Sequence, residues 1–276
     1  MEPVKGNRPV TRPNSFIFTV FGDFVHGYGD AIWVGSLVRL MAEFGLSEQA
    51  VRAALSRMSR QGWLESSRIG TRSFYSPTPL GKRRVDEISK RIYVAPQDAW
   101  DGEWRMLSYT IPESKRDLRD RLRKDLTVLG LGPLSASLWI SPRDVLDAVR
   151  DAIRALGLDE RADMFVARYD GPLRDADLVR KCWDLDAIGR AYEDFIALYS
   201  GYSRSLSDTQ AFVTRIWLVH DFRKFAYIDP GLPAALLPED WAGLRAGALF
   251  RDFYAALRPG AVRFFESVFS APIEAA

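Results

Sequence analysis

Two short helical repeats that meet at a glycine constrain this 276-residue chain more than any other feature. Leu37, Leu40, Met41 and Phe44 recur at i, i+3, i+4 and i+7, the spacing of one helical face, and Gly45 breaks the pattern before Leu46. Ser47 then reads as an N-cap, and Glu48 stands where the positive end of a helix dipole favours a carboxylate, so a second helix is predicted over residues 48–61. At about 100° per residue, Val51, Ala54, Leu55 and Met58 share one side of it, while Gln49, Arg52, Ala53, Ser56, Arg57 and Arg60 share the other. Helix, glycine turn, helix is a helix-turn-helix signature.

The next residues sharpen that reading. Residues 63–67 are predicted as a strand, Arg68 to Arg72 as a tight basic turn and residues 73–76 as a returning strand. An amphipathic helix with arginine on its wet side is, taken alone, a solvated helix. Followed by a hairpin with a basic tip, it points to a winged helix-turn-helix over residues 15–97 and to double-stranded DNA as partner. Arg52, Arg57 and Arg60 would fork onto bases or phosphates, Gln49 and Ser56 would bond base edges, and Ala53 would approach a thymine methyl. Ser47 at the helix start and Arg68 and Arg72 on the wing complete the candidate contacts.

Charge is distributed to match. Residues 1–97 hold 14 Lys+Arg against 8 Asp+Glu, whereas the rest of the chain holds 24 against 28. Phosphate neutralisation at the N-terminal end alone would produce this asymmetry. With 47% hydrophobic and 12% aromatic residues the chain can build two or three cores. No run approaches the roughly 18 apolar residues of a membrane span, and the N-terminus lacks the apolar stretch of a signal peptide; a cytoplasmic protein is expected. Cys182 is the only cysteine, which excludes an intrachain disulfide and a thiolate cluster. His26 and His220 are too few for most zinc sites, so no metal is expected.

Residues 1–14, rich in proline and charge, read as a flexible arm. Residues 15–25 read as the first helix of the winged domain, and their aromatic density suggests that part of them faces a partner subunit. His26, beside Gly27 and Gly29, reads as a hydrogen-bonded loop histidine. After Pro77 and Pro79 a helix over residues 80–92 carries Lys82, Arg83, Arg84, Lys90 and Arg91, either touching phosphates or solvated; residues 94–98 are a linker candidate. A strand (103–111), a helix (114–129), one bent or two short strands (134–140), a second helix (143–156) and a last strand (164–169) follow. That order predicts a ferredoxin-like βαββαβ domain over residues 98–174. From residue 175 to 276 only helical periodicity is visible, with Leu185, Ile188, Tyr192, Phe195, Ile196 and Tyr199 as one stripe and Phe212, Ile216, Val219 and Phe222 as another. A helical C-terminal domain is expected, and with it an α+β fold overall.

Particular motifs extend this to a family. They include Arg12-Pro13-Asn14-Ser15, Val51-Arg52-Ala53-Ala54-Leu55-Ser56-Arg57-Met58, Gly62-Trp63-Leu64 and Tyr75-Ser76-Pro77-Thr78 in the first third. Later come Trp104, Pro112-Glu113, Gly130-Leu131-Gly132, Trp139-Ile140-Ser141-Pro142, Trp183-Asp184-Leu185, His220-Asp221-Phe222-Arg223 and Leu236-Leu237-Pro238-Glu239-Asp240-Trp241. In this order they resemble the PaaX-like regulators, the repressor family of phenylacetic acid catabolism. The resemblance implies a homodimeric bacterial repressor that leaves its operator when an aryl-CoA thioester, phenylacetyl-CoA in the best understood branch, binds. The middle unit is also similar to the ferredoxin-like nuclease-type subunit of CRISPR spacer acquisition. Thr110 stands where that subunit has a metal-binding aspartate, and nuclease chemistry is not implied.

A CoA thioester needs cations for its phosphates and an apolar slot for its acyl group. Arg215, His220, Arg223, Lys224 and Tyr227, beside Phe222 and Phe225, are the candidate effector contacts. The alternative to a repressor is a hydrolase of CoA esters or nucleic acid. Against it, the chain has no Gly-x-Ser-x-Gly elbow, Walker loop or His-Glu-x-x-His, and adjacent His220 and Asp221 diverge on a helix, so no catalytic residue is assigned.

Overall fold

A computed structural model describes residue 10 and residues 13–93, 99–202 and 205–270. The arm with Lys5, Arg8 and Arg12 and the linker at residues 94–98 lie outside the described residues, as do the side chains of Arg84, Lys90 and Arg91. The fold is α+β, and the chain divides into two compact units: residues 1–94, 195–224 and 246–276 form one, residues 95–194 and 225–245 the other. Residues 175–276, expected as a domain of their own, are shared between them. No helix of the described residues is long and apolar enough to cross a membrane.

In the first unit, α1 (Pro13–Asp23) begins two residues inside the stretch expected as an arm. Proline suits the first helical position, because its missing N–H would be unsatisfied there in any case. A two-residue strand, β1 (Ile32–Trp33), leads into α2 (Val34–Ala42), and α3 (Glu48–Arg60) follows. Gly45 between the two helices has φ 73°, the left-handed conformation that glycine adopts without steric penalty. The hairpin of β2 (Leu64–Ile69) and β3 (Arg72–Pro77) turns at Gly70-Thr71, so the strands run further into the tip than the five-residue turn expected. The sheet has three strands, not two, in the order β1-β3-β2, every neighbour antiparallel. Helix α4 (Pro79–Tyr93) follows.

The second unit carries β4 (Trp104–Tyr109), α5 (Arg116–Val128), β5 (Gly132–Pro133), β6 (Leu138–Ser141), α6 (Leu146–Ala155) and β7 (Ala162–Ala167). Its sheet runs β5-β6-β4-β7, again antiparallel throughout. Leu107, Tyr109, Leu122, Leu126, Trp139, Val149 and Ile153 fill the space between sheet and helices. Helix α7 (Asp175–Cys182) and most of α8 (Leu185–Tyr199) belong to this unit too. There Tyr192 stacks on Phe225 at 3.8 Å and donates to Asp229 at 2.5 Å. Burial and the Asp229 carboxylate raise its pKa.

The first unit is completed by the last turn of α8, by α9 (Asp208–Phe222) and by the later part of the last helix. A one-turn helix, α10 (Phe225–Ile228), follows α9 in sequence, and the last helix is α11 (Ala242–Val268). Helix α9 is buried all round between Ala211 and Val219, including Thr214 and Arg215, rather than along the expected stripe alone. Helices α9 and α11 take up Phe16 of α1 and Phe24 just beyond its end. Phe16 packs edge-on to Trp217 at 4.6 Å, and Phe24 contacts Phe212 at 5.2 Å and Phe265 at 5.0 Å. Phe16, Ile17, Val20 and Phe21 are at most 2% exposed, so the chain itself, and not a partner subunit, covers them.

Candidate nucleic-acid interface

Helix α3 separates its two sides as its periodicity requires. Val51, Ala54, Leu55 and Met58 are each 0% exposed, whereas Gln49, Arg52, Ala53, Ser56, Arg57 and Arg60 are all exposed. Ser47 caps the helix by accepting the Ala50 N–H at 3.2 Å. Arg52 Nε donates to Glu48 at 2.7 Å, one turn back. Exposed pairs of this kind are worth only about 0.3–0.5 kcal/mol, so Arg52 is easily recruited by a more strongly charged partner. Arg57 reaches Asn14 at the start of α1, at 3.5 Å.

The hairpin presents the other two arginines. Arg68 folds back to donate to the Gly70 carbonyl at 3.2 Å, and the Arg72 guanidinium lies 4.7 Å from the centre of the Trp33 indole. Behind the hairpin, Lys82 on α4 pairs with Asp30 at 2.8 Å, and His26 meets the same carboxylate at 2.8 Å. Partial burial pushes the Asp30 pKa up, but the bonds from Lys82 and His26 outweigh it and hold the carboxyl below its usual range. His26 is therefore hydrogen-bonded as expected, though it sits in a 3-10 turn (Val25–Tyr28) and not in a loop. All nine sequence-predicted contacts, Ser47 included, are solvent-exposed in the first unit. Sequence reasoning missed Trp33 and Asn14. A two-residue strand has no periodicity to read, and Asn14 fell in the supposed arm.

Of the five candidate effector residues, His220 and Arg223 meet at Ser15, and Arg215 is engaged elsewhere. Arg215 is 4% exposed and inside the fold: Nε and Nη2 donate to both Asp23 oxygens at 2.7 and 2.9 Å, and Nη1 donates to the Tyr254 carbonyl at 2.9 Å. The expectation that it meets phosphates is corrected, because an internal carboxylate already neutralises it. His220 stacks on Phe16 at 4.2 Å with Nδ1 3.5 Å from the Ser15 hydroxyl, which Arg223 also contacts. Lys224 is exposed, and Tyr227, also exposed, belongs to the second unit. A shallow cleft of about 290 Å³ in that unit, lined by Asp186, Arg190 and Trp241 among others, includes none of the five.

The hydrolase alternative gains nothing from this geometry. Asp221 accepts from Tyr199 at 2.6 Å while His220 faces Ser15, so the neighbours diverge as expected. Burial pushes the Cys182 thiol up to about 11, the reverse of an activated nucleophile. Thr110 lies exposed just past β4 and donates its backbone N–H to Arg161.

Comparison with known proteins supplies the family. Three family models match in chain order: "PaaX-like protein" over residues 12–79, "PaaX protein central Cas2-like domain" over 97–179 and "PaaX-like protein C-terminal domain" over 183–267. The transcriptional repressor PaaX of Escherichia coli (strain K12) is 36% identical over 260 residues, covering 91% of this chain and 82% of that protein. Uncharacterized protein Rv0674 from Mycobacterium tuberculosis has a similar structure, with a TM-score of 0.64 and 25% identity over 93% of this chain and 98% of that one. These matches place the molecule among transcription regulators and not among enzymes. More narrowly, the chain belongs to the PaaX-like family of transcriptional repressors.

Proposed function

We propose that the chain binds operator DNA through a winged helix-turn-helix made of α2, α3 and the β2–β3 wing, acts as a homodimer, and leaves the operator when an aryl-CoA thioester such as phenylacetyl-CoA binds. The observation that carries the DNA reading is α3 itself: residues suited to base edges and phosphates face solvent, opposite a side packed to zero exposure. A two-fold pair of such helices requires a near-palindromic operator. The central sheet, antiparallel with its strands ordered β5-β6-β4-β7, supports a ferredoxin-like reading of the middle unit. His220, Arg223 and Lys224 remain the proposed contacts of the effector. A repressor of bacterial operators works in the cytoplasm, where the DNA is.

The test uses the full chain and a duplex selected by it from a random-sequence pool. Arg52→Ala and Arg57→Ala are each expected to weaken the gel shift by about 5- to 150-fold, equivalent to roughly 1–3 kcal/mol per base-reading arginine. Unchanged affinity in both variants would remove this face from the interface. In the same assay phenylacetyl-CoA is expected to release the wild-type complex and, with the free protein, to raise its melting temperature. If no thioester of an acyl-CoA panel does either, the effector reading fails while the DNA reading stands.

A further inference from the structure

The short strand β1 pairs with β3 so that Trp33 stands opposite Phe74. Arg72 lies two residues before Phe74, on the same side of the pleat, which makes Trp33 and Arg72 diagonal cross-strand neighbours within reach of long side chains. The distance bears this out: the guanidinium carbon is 4.7 Å from the indole centroid. The indole is itself held in place. A Cβ added to Gly35, in the first turn of α2, would lie 2.4 Å from two of its ring carbons, so only glycine lets the ring settle against that backbone. Arg72 remains exposed.

We propose that Trp33 is a positioning residue of the DNA interface: its indole, seated on Gly35, holds the Arg72 guanidinium in the orientation in which the wing meets a DNA phosphate. A cation–π contact suits this purpose. It attracts the charge through the face of the indole and uses up none of the guanidinium N–H donors, which stay available to an anion. It also restricts a long side chain before binding, so less freedom is lost when the phosphate is engaged. Arg68, tied to the turn carbonyl at Gly70, has no such ring beneath it among the described residues. The inference rests on the DNA-binding reading above and names a residue through which that reading operates.

The experiment is a double-mutant cycle in gel shift on the selected duplex, at several salt concentrations. Arg72→Ala is expected to weaken binding and to reduce the slope of log affinity against log salt by about one, the signature of one lost phosphate contact. Trp33→Leu is expected to weaken binding about two- to fivefold, the scale of an exposed cation–π pair, with the slope unchanged because the charge remains. Trp33→Phe, which keeps an aromatic face, should restore most of the loss, and Trp33→Leu should have no further effect in the Arg72→Ala background. Gly35→Ala should reproduce Trp33→Leu. Wild-type affinity in Trp33→Leu, or an equal loss with and without Arg72, would overturn the inference. So would failure of Arg72→Ala to weaken binding while Arg52→Ala and Arg57→Ala do. If the α3 variants also bind as wild type, the DNA reading itself has failed.

Discussion

Arg215 shows how much one buried arginine can hold together. Its guanidinium forks onto Asp23, reaches the Tyr254 carbonyl and lies 3.6 Å over the Tyr254 ring, while Asp23 also accepts from the Tyr254 hydroxyl. Removing one member of a buried pair leaves the other charge uncompensated, at a cost of about 3–5 kcal/mol. Arg215→Ala is therefore expected to destabilise the chain by that amount in denaturant unfolding, and a loss below about 1 kcal/mol would show that the site admits water freely. The charge of Arg215 was visible in the sequence beside aromatic residues, which is why it read as an effector contact. Its partner lies 192 positions away, and no local pattern reveals that an arginine is already neutralised. The arginines of α3 were legible for the opposite reason: what defines them is the side of the helix they occupy, and spacing alone specifies that.

Among the elements, α3 was the most legible, because the Ser47 cap, the dipole and the apolar period of the thirteen helical residues all agree. Ser47→Ala should cost about 1 kcal/mol of stability by orphaning the Ala50 N–H. A thermal midpoint unchanged by that substitution would mean that water serves the helix start equally well. Helix α9 was read correctly as helix but wrongly as one-sided. A helix enclosed on every side carries no polar face to orient it, so Phe212, Ile216, Val219 and Phe222 looked like a stripe when Thr214 and Trp217 are buried too. The strand β1 was invisible for want of length. Its pairing with β3 exists only because Trp33 and Phe74 are brought together by the fold.

For the molecule as a whole, the three family models match one after another along the sequence. Spatial grouping does not follow it, since residues 195–224 and 246–276 are compacted with the N-terminal stretch. Nothing in a linear pattern says which earlier helix an apolar face will cover. Phe16 of α1 meets Trp217, Phe24 just after α1 meets Phe212 and Phe265, and Ser36 at the start of α2 donates to the Val268 carbonyl at 2.7 Å. One practical result concerns dissection by truncation. A fragment ending at residue 97, cut to isolate the N-terminal helices and hairpin, would bare Phe16, Phe21 and Phe24 to water. Such a fragment is expected to partition into the insoluble pellet on expression and to recover solubility when residues 195–276 are co-expressed in trans. A soluble, cooperatively melting fragment would show instead that these helices stand without their cover.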